Sequence, residues 1–380
     1  MQVQDYLSDK INSGFSVTAA LKSLTDEFGI SAKIYPDDDM VLLDYSQIDS
    51  PKSHPIVIEC RSLILRVSDL SIVSRKFDRF FNANECPEHY TDFVLSRAKV
   101  LEKSDGSLIG MYHNGVTNRW EISTRGMAKA EGGHAFGGTF REKVLDAMGV
   151  TEEQFQEKFD ANLIKGCTYI AEFCSPENRV VTKYSTPHMV LLGVVYAYGY
   201  QYDMRDLGNW VLIMQGFGIN IRPLQQYDLK ATLAELIEDA NALTDLKEGF
   251  VVWDEVSGKR MKIKSATYLI AHKLRGNDAI PTRKNLLILV LEGEVEEFLV
   301  YFPEWQSAIE EIQAEVKLFE KQLIQLHNQH CNISDQKEFA LSVKDFHGSG
   351  YLFTARKTNQ LPITVFHSAN INQKLRTFGV

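Results

Sequence analysis

Lys103 stands in the run Leu101-Glu102-Lys103-Ser104-Asp105-Gly106-Ser107-Leu108-Ile109. A lysine two residues before Asp-Gly, at the end of an apolar stretch, is a candidate nucleophile toward phosphorus. Its amine can attack the α-phosphorus of ATP or GTP, expel pyrophosphate and hold the nucleotide as a phosphoramidate. Only the neutral amine attacks. A free lysine titrates near 10.4 and a useful value is about 7–8, so the site must supply roughly 4 kcal/mol. Neighbouring cations and partial removal from water act in that direction. The short motif occurs by chance in many proteins, so its weight rests on the segments that follow in order.

Met261-Lys262-Ile263-Lys264 offers the cations. Alternation with a period of two puts Lys262 and Lys264 on one face of a strand. Like charges on one face are unfavourable unless an anion sits there, and a triphosphate meets that need. Glu172, in Ala171-Glu172-Phe173, and Glu248, before Gly249-Phe250-Val251-Val252, supply carboxylates at strands. Such groups can accept from a ribose and position a divalent metal on phosphates, and Gly249 permits close backbone approach. Upstream, Glu59-Cys60-Arg61 ends a strand-like run, and Arg79-Phe80-Phe81-Asn82 precedes Glu85. Arginine suits planar, multidentate phosphate contacts, while Phe80 and Phe81 read first as core. His327, His330 and Cys331 lack a fourth ligand at a metal-site spacing. Gly132-Gly133-His134-Ala135-Phe136-Gly137-Gly138 has no strand feeding a phosphate loop with Lys-Ser/Thr and reads as surface.

The elements that must carry these residues are partly legible. Ser16 can cap a first helix whose stripe is Ala20, Leu21, Leu24 and Phe28, with Gly29 ending it. Residues 40–125 are strand-like, Ile56-Val57-Ile58 and Ser62-Leu63-Ile64-Leu65 included. Residues 139–165 read as helices, with Thr151 and Gln154 forming a capping-box pattern. Thr168–Phe173 and Met189–Tyr198 read as strands. Leu229, Leu233, Leu236, Ile237 and Ala240 form a helix stripe after Asp228 as cap. Gly249–Trp253 and Met261–Ser265 read as strands joined by the turn Glu255-Val256-Ser257-Gly258. Beyond about 275 the pattern turns helical: Asn285–Tyr301, then a segment starting at Pro303 with Ile309, Ile312, Val316, Phe319, Leu323 and Leu326 on one face, then a helix capped by Asp335.

The chain has 380 residues, room for two domains, and is 44% hydrophobic and 24% charged. A net charge of −9 argues against coating nucleic acid through global positive charge but leaves room for a local basic groove. No apolar run is long enough to span a membrane, and the start at Met1-Gln2-Val3 has no signal or transit pattern. Five cysteines without a CxxC pair point to free thiols and a cytoplasmic setting.

Taken in order, these segments resemble the T-even-phage-type RNA ligase 1 family of ATP-dependent, covalent nucleotidyltransferases. The residues that carry the resemblance run from Glu59-Cys60-Arg61 through Ser74-Arg75, Phe80-Phe81-Asn82, Glu85, Lys103-Ser104-Asp105-Gly106, Arg125-Gly126, Glu172-Phe173, Pro176, Asn178-Arg179-Val180-Val181 and Glu248-Gly249-Phe250-Val251 to Lys262-Ile263-Lys264-Ser265 and Tyr268. The resemblance implies an α+β fold. An ATP-grasp-like nucleotidyltransferase domain of antiparallel sheets with flanking helices would occupy 1–275, and an all-α C-terminal domain, an RNA-specificity module, would occupy 276–380. It implies that Lys103 becomes AMP-linked, with Glu172, Glu248, Lys262 and Lys264 essential. The nucleotide would contact Tyr45, Arg61, Arg79, Asp105, Gly106 and Arg125 as well. It implies ATP and Mg²⁺ or Mn²⁺, without naming metal ligands. The partners would be RNA ends, such as a cleaved tRNA anticodon loop repaired during phage infection in the host cytoplasm. A polynucleotide kinase/phosphatase would prepare the ends, and the protein would be a monomer. Three places depart from the family pattern. Ser62 follows Arg61 where glycine is usual, Arg79 stands where lysine is usual, and Arg125 and Ser123 replace two lysines. A DNA ligase or an mRNA guanylyltransferase would share the lysine chemistry but carry an oligonucleotide-binding β-barrel where this chain reads helical. A non-catalytic RNA-binding protein would not need the lysine and both glutamates.

Overall fold

The computed structural model describes residues 1–133, 137–177, 180–269 and 281–380. The expectations at 134–136 and at Asn178-Arg179 lie outside the described residues. The chain separates into two compact units, Met1–Leu269 and Ile270–Val380. The sequence boundary near 275 falls within 270–280, which is also outside them.

The first unit is α+β. Its strands are β1 (Ile30–Tyr35), β2 (Met40–Tyr45), β3 (Arg61–Arg66), β4 (Ile72–Ser74), β5 (Phe81–Asn82), β6 (Lys99–Glu102), β7 (Ser107–Asn114), β8 (Arg119–Ser123), β9 (Cys167–Cys174), β10 (His188–Tyr196), β11 (Gln226–Tyr227), β12 (Gly249–Trp253) and β13 (Arg260–Lys264). They form three sheets, in the orders β1-β2-β3-β4, β10-β9-β7-β8 and β11-β6-β12-β13-β5. Pairing is antiparallel except between β13 and β5.

Helices cover the sheet faces that would otherwise be apolar. Phe140–Met148 and Glu152–Asn162 pack Val144, Met148, Phe155 and Phe159 against Trp120, Tyr169 and Leu191 of the β10-β9-β7-β8 sheet. Both helices start on a capping box, Thr139 with Glu142 and Thr151 with Gln154. Each box satisfies two backbone donors that the first helical turn leaves open. The helix Val17–Phe28 follows the sequence reading, with the Ser16 hydroxyl accepting from the Ala19 amide and Gly29 in the left-handed conformation.

Four local expectations are corrected. A helix Gln2–Asn12 precedes the one read as first; it buries only Val3 and Leu7, too narrow a stripe to stand out. Ile56-Val57-Ile58, expected as strand, lies in the helix Pro55–Glu59, where proline at the first position presets φ and needs no amide partner. The helix after 228 is Leu233–Asn241, capped by Thr232 with Glu235 rather than by Asp228. Asn285–Tyr301 is two helices, Arg283–Glu292 and Val295–Tyr301, separated at Gly293 with φ +71°.

The described residues of the second unit are helical. Its long helix, Gln306–His330, buries Ile309, Ile312, Val316, Phe319 and Leu323, the face read from the sequence, after a 3₁₀ turn at Pro303–Trp305. Phe346, Phe366 and Phe378 lie around Phe319, at 5.4, 5.1 and 5.4 Å between ring centroids. Among the described residues no helix is long and apolar enough to cross a membrane. Phe319→Ala should cost about 3–5 kcal/mol, because the three surrounding phenylalanine rings cannot collapse onto a methyl group. Chemical denaturation followed by circular dichroism reads this directly.

Candidate active site at Lys103

Lys103 sits where the chain leaves one sheet and enters another. β6 ends at Glu102 and β7 begins at Ser107. The four residues between them are held from several sides. The Lys103 amide donates to the Gly249 carbonyl at 3.0 Å, which continues the β6–β12 ladder by one step. The Gly106 amide donates to Glu172 Oε1 at 3.1 Å. A Cβ on Gly106 would lie 2.3 Å from the Phe173 carbonyl oxygen, so only glycine lets β7 start this close to β9. The Asp105 carboxylate, 3% exposed, accepts from the Val181 and Thr182 amides at 2.8 and 2.6 Å and from the Tyr268 hydroxyl at 2.7 Å. Its own amide donates to the Tyr184 hydroxyl at 3.0 Å.

Strand register brings the remaining groups to Lys103. Gly249 pairs with Lys264, and Val251 pairs with both Lys262 and Leu101. Residues two apart share a face. Lys103, Gly249 and Lys264 therefore form one row, and Leu101, Val251 and Lys262 form the next. Gly249 has φ +137°, and a Cβ there would lie 2.0 Å from the Ile263 carbonyl oxygen. Beside it, Glu248 joins two lysines: its Oε2 is 2.7 Å from Lys103 Nζ and its Oε1 is 3.5 Å from Lys264 Nζ.

These rows border a cavity of about 260 Å³ lined on its polar side by Arg61, Lys103, Ser104, Glu172, Lys262 and Lys264. Leu101, Leu108, Leu192, Leu224 and Val251 make its apolar side. Phe80 lies between cations: the Arg61 guanidinium is 5.0 Å and Lys262 Nζ is 4.9 Å from its ring centroid. Arg61 Nη1 and Ser104 Oγ are buried with no hydrogen-bond partner among the described residues. Burial pushes the Glu172 carboxyl up to about 8, against the pull of Lys103. An arrangement of apolar wall, clustered cations and two carboxylates fits a purine nucleotide with a polyphosphate tail.

Other expected site residues lie elsewhere. Asp105 is not among the residues that line the cavity; its carboxylate is taken up by the Val181 and Thr182 amides and by Tyr268. Tyr45, Arg79 and Arg125 form a separate stack, with the two guanidinium carbons 4.0 and 4.7 Å from the Tyr45 centroid. Arg125 also pairs with Asp44 at 2.8 Å. Ser62, in the glycine position, adopts φ +54°, a strained conformation for a residue with a Cβ. Its hydroxyl donates to the Arg125 carbonyl at 3.0 Å, so the serine holds the Arg125 loop that a glycine could not. Glu59 accepts from the Gln2 and Val3 amides and so caps the first helix. Sequence reasoning missed Arg260 as a wall residue, although its parity with Lys262 and Lys264 carries the signal. It also missed Leu192 and Leu224, which carry none beyond hydrophobicity.

A model of the RNA ligase family matches residues 59–272. The chain belongs to the RNA ligase family. It is 34% identical over 304 residues to a protein of Autographa californica nuclear polyhedrosis virus named as a bifunctional polynucleotide kinase/RNA ligase, covering 76% of this chain and 41% of the viral protein. The chain thus spans about two-fifths of that relative. It is 26% identical to the RNA ligase of Rhodothermus phage RM378, covering 92% of this chain and 91% of the phage protein. Among solved structures, an archaeal ATP-dependent RNA ligase is similar over 82% of each chain, at 14% identity and a TM-score of 0.49.

The raised Glu172 carboxyl makes a measurable prediction for this RNA ligase family member. Without metal, the native state keeps a proton on Glu172 up to about 8, while an unfolded glutamate loses it near 4.5. The native state therefore holds the extra proton across that window, and stability falls as pH rises through it. Glu172→Gln removes this dependence. Its melting temperature relative to wild type should rise between pH 5 and pH 8 in chelator-containing buffer; a constant difference would contradict the burial-driven shift.

Proposed function

We propose that this chain is an ATP-dependent RNA ligase that joins a 5′-phosphate to a 3′-hydroxyl through lysyl-AMP and RNA-adenylate intermediates. The observation that carries the reading is the Lys103 amine, held 2.7 Å from Glu248 at the wall of a cavity bordered by Arg61, Lys262 and Lys264. Family membership supports it.

In the first step the Lys103 nitrogen attacks the α-phosphorus of ATP. The N–P bond forms, the bond to the bridging oxygen breaks, and pyrophosphate leaves as the amine loses its proton. Lys262, Lys264 and Arg61 face the charge that develops on the phosphates, in a site poor in water where such interactions are strong. Glu248 fixes the amine against β12 before reaction. In the second step an oxygen of the RNA 5′-phosphate attacks the phosphorus of the adduct, and the P–N bond breaks. In the third, a 3′-hydroxyl oxygen attacks the activated 5′-phosphate and AMP leaves.

A divalent cation, Mg²⁺ or Mn²⁺, fits this donor set. Among the described residues there is no cluster of three or more His, Cys, Asp or Glu that could hold a metal by itself. Glu172 and Glu248 flank the lysine, and such ions commonly take one or two carboxylates and complete their shell with phosphate oxygens and water. The ion would neutralise polyphosphate charge; the nucleophile, its orientation and the exclusion of water come from the chain. Tyr45, Arg79 and Arg125 would extend the phosphate-binding surface. The helical second unit would select RNA structure near the break, in repair of cleaved tRNA, on ends supplied by a kinase/phosphatase.

With labelled ATP and Mg²⁺, one AMP should appear on Lys103. Lys103→Ala should abolish labelling yet still seal an RNA that already carries a 5′-adenylate. Lys262→Ala and Lys264→Ala should each slow labelling by about 10²-fold or more, the scale of losing one charge-stabilising group. Lys259→Ala should be mild, because Lys259 reaches the His89 carbonyl and Asp92 instead. Peptide mapping that found AMP on another lysine would overturn the assignment.

A chain ending near residue 280 and shown by circular dichroism to be folded should keep AMP labelling. It should lose its preference for a structured tRNA-like substrate over an unstructured RNA. Retained preference would place selectivity in the first unit.

A further inference from the structure

A second cavity, of about 550 Å³, shares Phe77, Phe80 and Arg260 with the Lys103 cavity as a common wall. Four nitrogen donors in its lining are buried and have no hydrogen-bond partner among the described residues: Arg79 Nη1, Arg260 Nη2, Gln201 Nε2 and Trp253 Nε1. Arg260 is 6% and Trp253 3% exposed. An unpaired buried donor is costly, and unpaired donors that line one cavity describe a ligand rich in acceptors.

The donors are held rigidly. The Arg260 guanidinium carbon lies 4.0 Å from the Phe77 centroid and 4.3 Å from that of Trp253, and its Nη1 donates to Gln201 Oε1 at 2.9 Å. The wall carboxylates are already engaged. Asp78 pairs with Arg75 at 2.9 Å, and Glu255 accepts from the Met204 amide at 2.9 Å. An anion therefore meets these donors beside one carboxylate paired with a cation and a second, Glu255, held by a backbone amide. Tyr200 lines the same cavity and is 52% exposed; near it Tyr198 is 74% exposed and stacks on Tyr196 at 5.0 Å. Exposed aromatic faces beside a cationic pocket suit unpaired bases.

We propose that this cavity binds the 5′-phosphorylated end of the RNA, with the terminal phosphate on Arg260, Gln201 and Trp253 and the first bases against Tyr200 and Tyr198. The proposal rests on the ligase reading. A nucleotide triphosphate is the poorer occupant, because Arg61, Lys262 and Lys264 already serve it in the Lys103 cavity. The common wall brings the phosphate next to the lysyl-AMP. A phosphate oxygen then forms the new P–O bond, the P–N bond breaks, and the departing lysine nitrogen takes a proton from solvent.

The test uses the full chain. Fluorescence anisotropy compares a single-stranded RNA bearing a 5′-phosphate with the same RNA bearing a 5′-hydroxyl. Wild type should prefer the phosphate by about tenfold or more, as expected for a charge-assisted contact. Gln201→Leu and Arg260→Met should narrow that preference to about twofold or less. In single-turnover reactions from AMP-loaded protein, Gln201→Leu and Tyr200→Ala should raise the RNA concentration for half-maximal transfer by about tenfold. Their rate of AMP loading from ATP should stay within about twofold of wild type, which also reports that they fold. No preference in wild type, no change in the variants, or equal slowing of loading and transfer would overturn the proposal. Failure of wild type to load AMP would count against the ligase reading alone, since the binding comparison needs no chemistry.

Discussion

The site depends on one buried carboxylate whose oxygens are taken up by the fold. Asp105 gathers the Val181 and Thr182 amides and the Tyr268 hydroxyl onto its oxygens. A buried charge is tolerated only when its hydrogen bonds are complete, and here they are completed by chain segments far apart in sequence. Those bonds determine where the strand leaving β6 turns into β7, and that turn determines where Lys103 points. Gly106 then allows β7 to lie against β9, which delivers Glu172. The position of Lys103 is thus a consequence of how two sheets are joined.

The electrostatics around Lys103 divide the work between two glutamates. Glu248 bridges Lys103 and Lys264 and offsets the repulsion that two cations in one strand row would feel. At Glu172 the loss of solvation outweighs the nearby lysine and raises the carboxyl. An anionic ligand that brings a divalent cation relieves both conditions, since it supplies negative charge to the lysines and positive charge to the carboxylates. The unpartnered Arg61 nitrogen belongs to the same pattern of a site completed by its ligand.

Much of this arrangement was legible in the sequence, and the reasons are local. Lys262 and Lys264 share a face because alternation is a property of any strand. Gly106 and Gly249 were marked by their place beside charged residues, and the structure adds the carbonyl oxygens they avoid. The capping box at Thr151 and the apolar face of the long helix followed from spacing alone. What was not legible depends on tertiary partners. The bond from Tyr268 to Asp105 is one of these, because nothing in the neighbourhood of Asp105 announces Tyr268. Ile56–Ile58 read as strand because β-branched residues favour it, and Pro55 with the packing of Ile56 and Val57 overrode that preference. Arg260 carried the right parity, but its stacking between Phe77 and Trp253 arises only once β12, β13 and the segment between β4 and β5 come together.

The bond between Tyr268 and Asp105 spans 163 residues of chain. That separation has a meaning for synthesis. A ribosome delivers residues in order, so Lys103 emerges long before the hydroxyl that completes its support. Through most of translation Lys103 belongs to an unfinished turn, and its geometry arises only when nearly the whole first unit has left the exit tunnel. The order of the chain itself acts as a timer, leaving Lys103 without its support until the fold that governs it is in place.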